Sequence, residues 1–154
     1  MPLRHPFAQP TRRQWLATGI GLGAWALSRP AAAGDDLDAA VLAFAGGAPV
    51  REGRVRLDVA ALVENGNTVP ITVSVDSAMT AEAHVKTIAV FNERNPLREV
   101  ALFHLGPRCG RATVSTRMRL ATSQKLVAVA RLSDDSLWSH TVEVVMTLAG
   151  CVEA

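Results

Sequence analysis

An all-β, immunoglobulin-like antiparallel sandwich of about seven strands, preceded by one short helix, is the fold that the sequence predicts. Three observations lead there. Apolar and polar residues alternate with period two in successive segments from residue 54 onward. Clusters of Gly, Pro, Asn, Asp and Ser interrupt the alternation at short intervals. No stretch of helical period follows residue 47. The 154 residues suit one ordinary domain, and 49% hydrophobic against 19% charged residues excludes a disordered chain. Two cysteines in that length exclude a disulfide-dense scaffold.

Residues 1–33 read as an export signal. Thr11-Arg12-Arg13-Gln14-Trp15-Leu16 opens a weakly polar, Gly-rich run from Ala17 to Leu27, followed by Ser28-Arg29-Pro30-Ala31-Ala32-Ala33. Paired arginines followed by a polar residue, an aromatic and Leu resemble the twin-arginine signal, whose receptor passes folded cargo across the bacterial inner membrane. Cleavage after Ala33 fits the small-x-small rule. The apolar run is about 11 to 13 residues where a bilayer span needs about 20, so the reading is a removed signal and a periplasmic mature chain without a membrane span. Positive charge is concentrated in that segment. Arg4, Arg12, Arg13 and Arg29 stand there without an acid, which leaves 12 basic against 14 acidic residues from Gly34 onward. A slightly acidic mature chain argues against a nucleic-acid partner.

The mature chain divides into a domain at 34–148 and a tail at 149–154. Its first element is a short helix. Asp35 or Asp36 is placed to cap it, Leu37, Val41 and Phe44 share one face, and Gly46-Gly47 stops it. Strict alternation then marks strands at Arg54 to Val59 and Val69 to Asp76. Glu64-Asn65-Gly66-Asn67 is a turn by its Asn-Gly pair, and Pro70 puts the next strand at a sheet edge or falls among that strand's first residues, because proline cannot donate to an interior ladder. Further strands are expected at Val85 to Phe91, Val100 to Leu105, Ala112 to Leu120, Lys125 to Leu132 and Leu137 to Leu148. Turn residues at 92–96, 106–110, 122–123 and 133–136 separate them.

Signatures of an ordinary active site are missing: there is no Gly-x-Ser-x-Gly, His-Glu-x-x-His, phosphate-binding glycine loop or Cys-x-x-Cys. His84, His104 and His140 are isolated in sequence, and a metal site would need them to converge in space with Met79 or Met118. As strand residues, His104 and His140 are better read as ordinary half-buried or solvent-facing imidazoles, and Trp138 and Phe103 as core. No cofactor is expected.

Cys151 stands out by position, just beyond the last apolar alternation, Val142, Val144, Met146 and Leu148. Small Ala149 and Gly150 precede it, and a six-residue extended tail reaches about 20 Å from the domain. A thiol so placed can enter a partner's cleft. The competing reading is an exported metal- or partner-binding sandwich held by a Cys109–Cys151 disulfide, which an oxidising compartment would favour. Cys109, the possible secondary thiol, sits in a Gly-Pro-Arg-Cys-Gly turn.

Val63-Glu64-Asn65-Gly66-Asn67-Thr68-Val69-Pro70, Val73-Ser74-Val75-Asp76-Ser77, Phe91-Asn92-Glu93-Arg94-Asn95-Pro96, Phe103 with Leu105, and Val114-Ser115-Thr116-Arg117 together resemble the SoxY family of periplasmic sulfur carriers. The likeness covers the whole mature chain. It implies a non-enzymatic carrier that holds thiosulfate-derived sulfur covalently on Cys151, pairs with a SoxZ-like subunit, and is served by a c-type cytochrome and a hydrolase. The usual arm of that family ends Gly-Gly-Cys-Gly-Gly. Here it reads Ala149-Gly150-Cys151-Val152-Glu153-Ala154, more similar to a related branch ending Ala-Ala-Cys-Ile-Glu. Branched Val152 and charged Glu153 resist threading through a narrow channel where glycines would not. No Lys or Arg adjoins Cys151, and nearby Glu153 disfavours its thiolate, so activation has to come from a partner.

Overall fold

A computed structural model describes residues 33–147, with side chains from Asp36 onward. The chain divides into two units, Met1–Ala31 and Ala32–Ala154, and every described residue belongs to the second. The predicted signal and the tail from Leu148 to Ala154 lie outside the described residues.

Helix α1 (Ala33–Ala45) leads into nine strands: β1 (Val50–Glu52), β2 (Val55–Asp58), β3 (Leu62–Val63), β4 (Val69–Val75), β5 (Val85–Asn92), β6 (Glu99–His104), β7 (Thr113–Met118), β8 (Gln124–Leu132) and β9 (Leu137–Met146). The larger sheet runs β1-β9-β8-β5-β6, with β3 also on β9, and the smaller runs β2-β4-β7. The expected strands are all present, with ends displaced by one to a few residues. The two additions are short: β1 and β3 cover three and two residues and pair in parallel with β9, a non-local match that leaves no period in the sequence.

The helix starts at Ala33, ahead of the expected cap, so Asp36 lies within its first turn. There its carboxylate takes a 3.0 Å ion pair from Arg98. Leu37 is buried, and Phe44 meets Phe91 edge-on at 5.8 Å between ring centroids. Gly46 and Gly47 adopt φ of 65° and 80°, the left-handed geometry that ends a helix most cheaply at glycine. The Arg131 guanidinium donates to the Phe44 carbonyl at 2.7 Å, satisfying one acceptor that the last turn leaves open.

The helix covers the outer face of the larger sheet through Ala89, Phe91, Val127 and Val129, while the smaller sheet covers its inner face through Ile71, Val73, Ile88 and Ala128. Strands β5 and β8 are therefore buried on both faces. That is why Ile88-Ala89-Val90-Phe91 and Leu126-Val127-Ala128-Val129-Ala130 read as continuous apolar runs instead of alternations.

Of the two placements expected for Pro70, a position among the strand's first residues is the one observed, since Pro70 is the second residue of β4, and the strand is not an edge. β4 is the middle of the smaller sheet, between β2 and β7. Pro70 is tolerated because β2 ends opposite Thr72, so no β2 residue pairs with Pro70, and its only partner is Arg117 of β7. The Asn65-Gly66 turn likewise joins no hairpin; it carries the chain from β3 in one sheet to β4 in the other.

Between β1 and β3 the chain leaves β9, crosses to the smaller sheet as β2, and returns. Gly53 (φ 113°) and Arg54 (φ 54°) make the crossing bend, and both Arg51 and Arg54 lay their guanidinium groups over Trp138, 5.8 and 5.5 Å from the ring centroid. In the gap, the Leu57 N–H of β2 donates to His140 Nδ1 of β9 at 3.1 Å. This bond links the sheets and occupies the edge of β2. His140→Leu removes the acceptor from a half-buried donor and is expected to lower stability by about 1 to 3 kcal/mol in urea unfolding; an unchanged unfolding midpoint would show that water replaces the imidazole at no cost.

Candidate functional site

The last described residues form the root of the tail, and three neighbours clamp it. Val145 N–H donates to the Ala61 carbonyl at 2.8 Å, Thr147 N–H to the Val63 carbonyl at 3.1 Å, and Met146 N–H to Ser123 Oγ at 2.9 Å. β3 pairs here in register, Leu62 with Val145 and Val63 with Met146. The 64–67 turn closes behind it: Asn67 N–H is held by Asn65 Oδ1 at 2.9 Å, and Leu120 N–H donates to the Gly66 carbonyl at 2.8 Å. A side chain at Gly66 would collide with the Leu120 carbonyl and the Met146 methyl, so glycine is required for close approach rather than for its torsion angles.

Beside the root, fully buried Asn92 organises the turn that the sequence marked by Asn92-Glu93-Arg94-Asn95-Pro96. Its amide donates to the Leu97 and Arg98 carbonyls at 2.6 and 3.1 Å and its oxygen accepts from Asn95 N–H at 2.7 Å. Asn95 then reaches across to Arg119 O at 2.7 Å, Ala121 N at 3.1 Å and Gln124 Nε2 at 2.9 Å. The end of the sandwich from which the tail departs is thus held by side-chain hydrogen bonds as well as by ladders.

Cys151, Ala149 and Gly150 lie outside the described residues. Cys109 is described, as a free and exposed thiol ending the 3-10 turn Pro107–Cys109, with Gly106 N–H 3.5 Å from its sulfur. The turn connects β6 to β7 at the opposite end of the sandwich. Through the registers of β9 with β8, β8 with β5 and β5 with β6, Thr147 and His104 stand about ten residues apart along the strands, on the order of 30 Å. Four residues from Thr147 to Cys151 span at most about 14 Å, and a disulfide bridges Cα atoms at most about 7 Å apart. An intramolecular Cys109–Cys151 bond is out of reach while β9 stays paired.

The expected metal-ligand candidates do not assemble. Among the described residues no group of three or more His, Cys, Asp or Glu could hold a metal ion. His140 is occupied by Leu57 N–H, His104 is exposed at the end of β6, and His84 lies half-buried at the start of β5 with its Nδ1 unpartnered. Met79 and Met118 are core residues. Trp138 and Phe103, expected in the core, are half-buried against it.

Among the described residues, displaced titration is found at two carboxylates. Asp134 is held below the ordinary carboxylate range by the Ser136 hydroxyl and backbone, and Asp135 by the Lys86 ammonium 2.8 Å away. Both lie in the exposed β8–β9 turn. That turn joins β8 to β9 at the end of the sandwich opposite the root.

Fold and site together define a helix-backed, immunoglobulin-like sandwich whose last strand leads directly into a cysteine-bearing tail. The sequence profile of the sulfur oxidation protein SoxY matches residues 41–151, and the chain belongs to the SoxY family. The sulfur carrier protein SoxY from Chlorobium limicola f thiosulfatophilum shares 30% identity at a TM-score of 0.64, over 75% of this chain and 99% of that one. A putative superoxide reductase from Thermotoga maritima is 21% identical at a TM-score of 0.54, over 65% of this chain and 89% of that one. A superoxide reductase (neelaredoxin) variant from Ignicoccus hospitalis is 16% identical at a TM-score of 0.55, over 73% and 90%. The two reductases share the fold alone. The comparison with curated sequences gives no match. No helix among the described residues is long and apolar enough to cross a membrane.

Gly66→Ala is expected to loosen the root by about 1 to 3 kcal/mol, since both groups that it meets belong to the packed sandwich end. Hydrogen exchange should then accelerate at Val145 and Thr147; unaltered exchange there would contradict the clamp.

Proposed function

We propose that the protein is an exported, periplasmic sulfur carrier that binds thiosulfate-derived sulfur on Cys151 and presents it to partner enzymes while contributing no catalytic group of its own. One observation carries the reading. The SoxY match runs through residue 151, so the tail cysteine falls inside the family region, four residues beyond a clamped root.

The chemistry follows from a thiol on a short tether. A c-type cytochrome removes two electrons as the Cys151 thiolate sulfur bonds to the outer sulfur of thiosulfate, leaving a Cys151–S–S-sulfonate adduct. Water then cleaves the bond to the sulfonate sulfur in a hydrolase, releasing sulfate and leaving a persulfide on Cys151. Each reaction needs the same thiol in a different active site, which a tail achieves without moving the domain. A SoxZ-like subunit completes the carrier as a heterodimer. Val152 and Glu153, in place of glycines, restrict which clefts admit the tail, so the enzymes that accept it are expected to have wider or more cationic entrances than a Gly-Gly-Cys-Gly-Gly arm requires.

Two variants separate this reading from a two-cysteine one. After exposure to the oxidising partner and thiosulfate, Cys151→Ser should carry no sulfur adduct and keep the unfolding midpoint of the parent, while Cys109→Ser should load as the parent does. Intact mass before and after reductant reads both. Undiminished loading of Cys151→Ser would refute the carrier site, and loss of loading in Cys109→Ser would require a relay between the thiols.

A further inference from the structure

The two sides of the sandwich are finished differently. On one side, His140 takes the Leu57 N–H, Ser139 O takes the Gly53 N–H, and β1 and β3 cover β9, so no long edge stays open. On the other side, β6 ends the larger sheet and β7 ends the smaller, each paired along one edge only. Both therefore present unpaired backbone donors and acceptors along an open seam.

Two shallow clefts flank that seam. One of about 690 Å³ includes Leu102, Phe103, Leu105 and Val114 in its lining, and one of about 340 Å³ at the far end includes Pro96, Leu97 and Val100. Leu97 is 79% exposed and Leu102 40%. Arg111 lines the larger cleft and Arg119 the smaller, Arg108 lies in the β6–β7 turn, and Arg117 lies on β7, lining another cleft with Pro70 and Thr72 of β4. Arg108, Arg111, Arg117 and Arg119 are all exposed, and among the described residues none forms an ion pair, whereas Arg94 and Arg98 nearby are paired with Glu93 and Asp36. Of the acidic residues, Glu99 alone lies within strands β6 and β7. Charges are a common guard on a strand edge, but exposed leucines beside them work against that purpose.

We propose that the β6–β7 seam is the docking surface for the companion subunit, which adds an extended strand to the open edge and sets acidic side chains against the four arginines. The proposal rests on the heterodimer reading above and gives it a location and a charge. Complementarity selects this occupant over a second copy. A two-fold contact of the seam with itself would bring arginines against arginines with little acid to offset them.

The test co-expresses the full chain with a SoxZ-like β-sandwich subunit and measures the dissociation constant against salt. Arg111→Glu with Arg117→Glu, both exposed, should weaken the complex at least tenfold and flatten its salt dependence, with the unfolding midpoint of the free chain unchanged. Arg56→Glu on the closed side should bind as the parent does. Hydrogen exchange on the parent complex should show new protection in β6 and β7. A complex that tolerates the double reversal, or protects other strands, overturns the seam and leaves the heterodimer intact. A parent chain that binds no such subunit removes the heterodimer and the seam proposal with it. A parent chain that dimerises alone through β6 and β7 assigns the seam to a second copy and overturns the choice of partner.

Discussion

Strand β9 is the constraint on which the rest of the structure depends. One of its edges pairs with β8 from Leu137 to Val144, and the other is covered in turn by β1, by β2 through His140, and by β3. A strand so bound along both edges gives the residues that follow it a fixed starting point. The Val145 and Thr147 hydrogen bonds fasten the end of β9 to the segment at 61–63. The same pairing fixes Thr147, the last described residue, at the end of the sandwich remote from Cys109.

Much of this architecture was legible from residue pattern. Leu37, Val41 and Phe44 followed by Gly46-Gly47 marked the helix and its stop, and alternation marked β2, β4 and β9. What escaped was non-local. β1 and β3 are too short to show a period and exist because β9 offers them an edge. The place of β4 in the middle of its sheet was hidden because Pro70 reads as an edge signal, and only the register shows that β2 stops before reaching it. Gly66 was legible only as a turn residue, while its further requirement is room for Leu120 and Met146. The helix start at Ala33 differed from the expected cap because acidic residues serve a first turn nearly as well as a cap position.

The candidate site divides in the same way. Position and small neighbours singled out Cys151 in the sequence, and the family match extends as far as that residue. The separation of the two cysteines required the ladder registers, since residue numbers alone allow any distance between 109 and 151. The open seam was equally invisible: alternation in β6 and β7 tells inner from outer face, and carries no information about which strand lacks a neighbour. Among the described groups, displaced titration is confined to Asp134 and Asp135 in an exposed turn.

The central claim is that sulfur travels on the tail thiol and not on the domain. Protein isolated without reductant from cells oxidising thiosulfate, alkylated and digested with trypsin, separates the two cysteines cleanly, because cleavage after Arg131 leaves Cys151 on a peptide spanning residues 132–154 and cleavage after Arg108 and Arg111 leaves Cys109 on a tripeptide. Tandem mass spectrometry should find persulfide or thiosulfonate adducts on the 132–154 peptide, removable by reductant, and alkylated free thiol on the other. Sulfur adducts on Cys109 with an unmodified Cys151 would contradict the account.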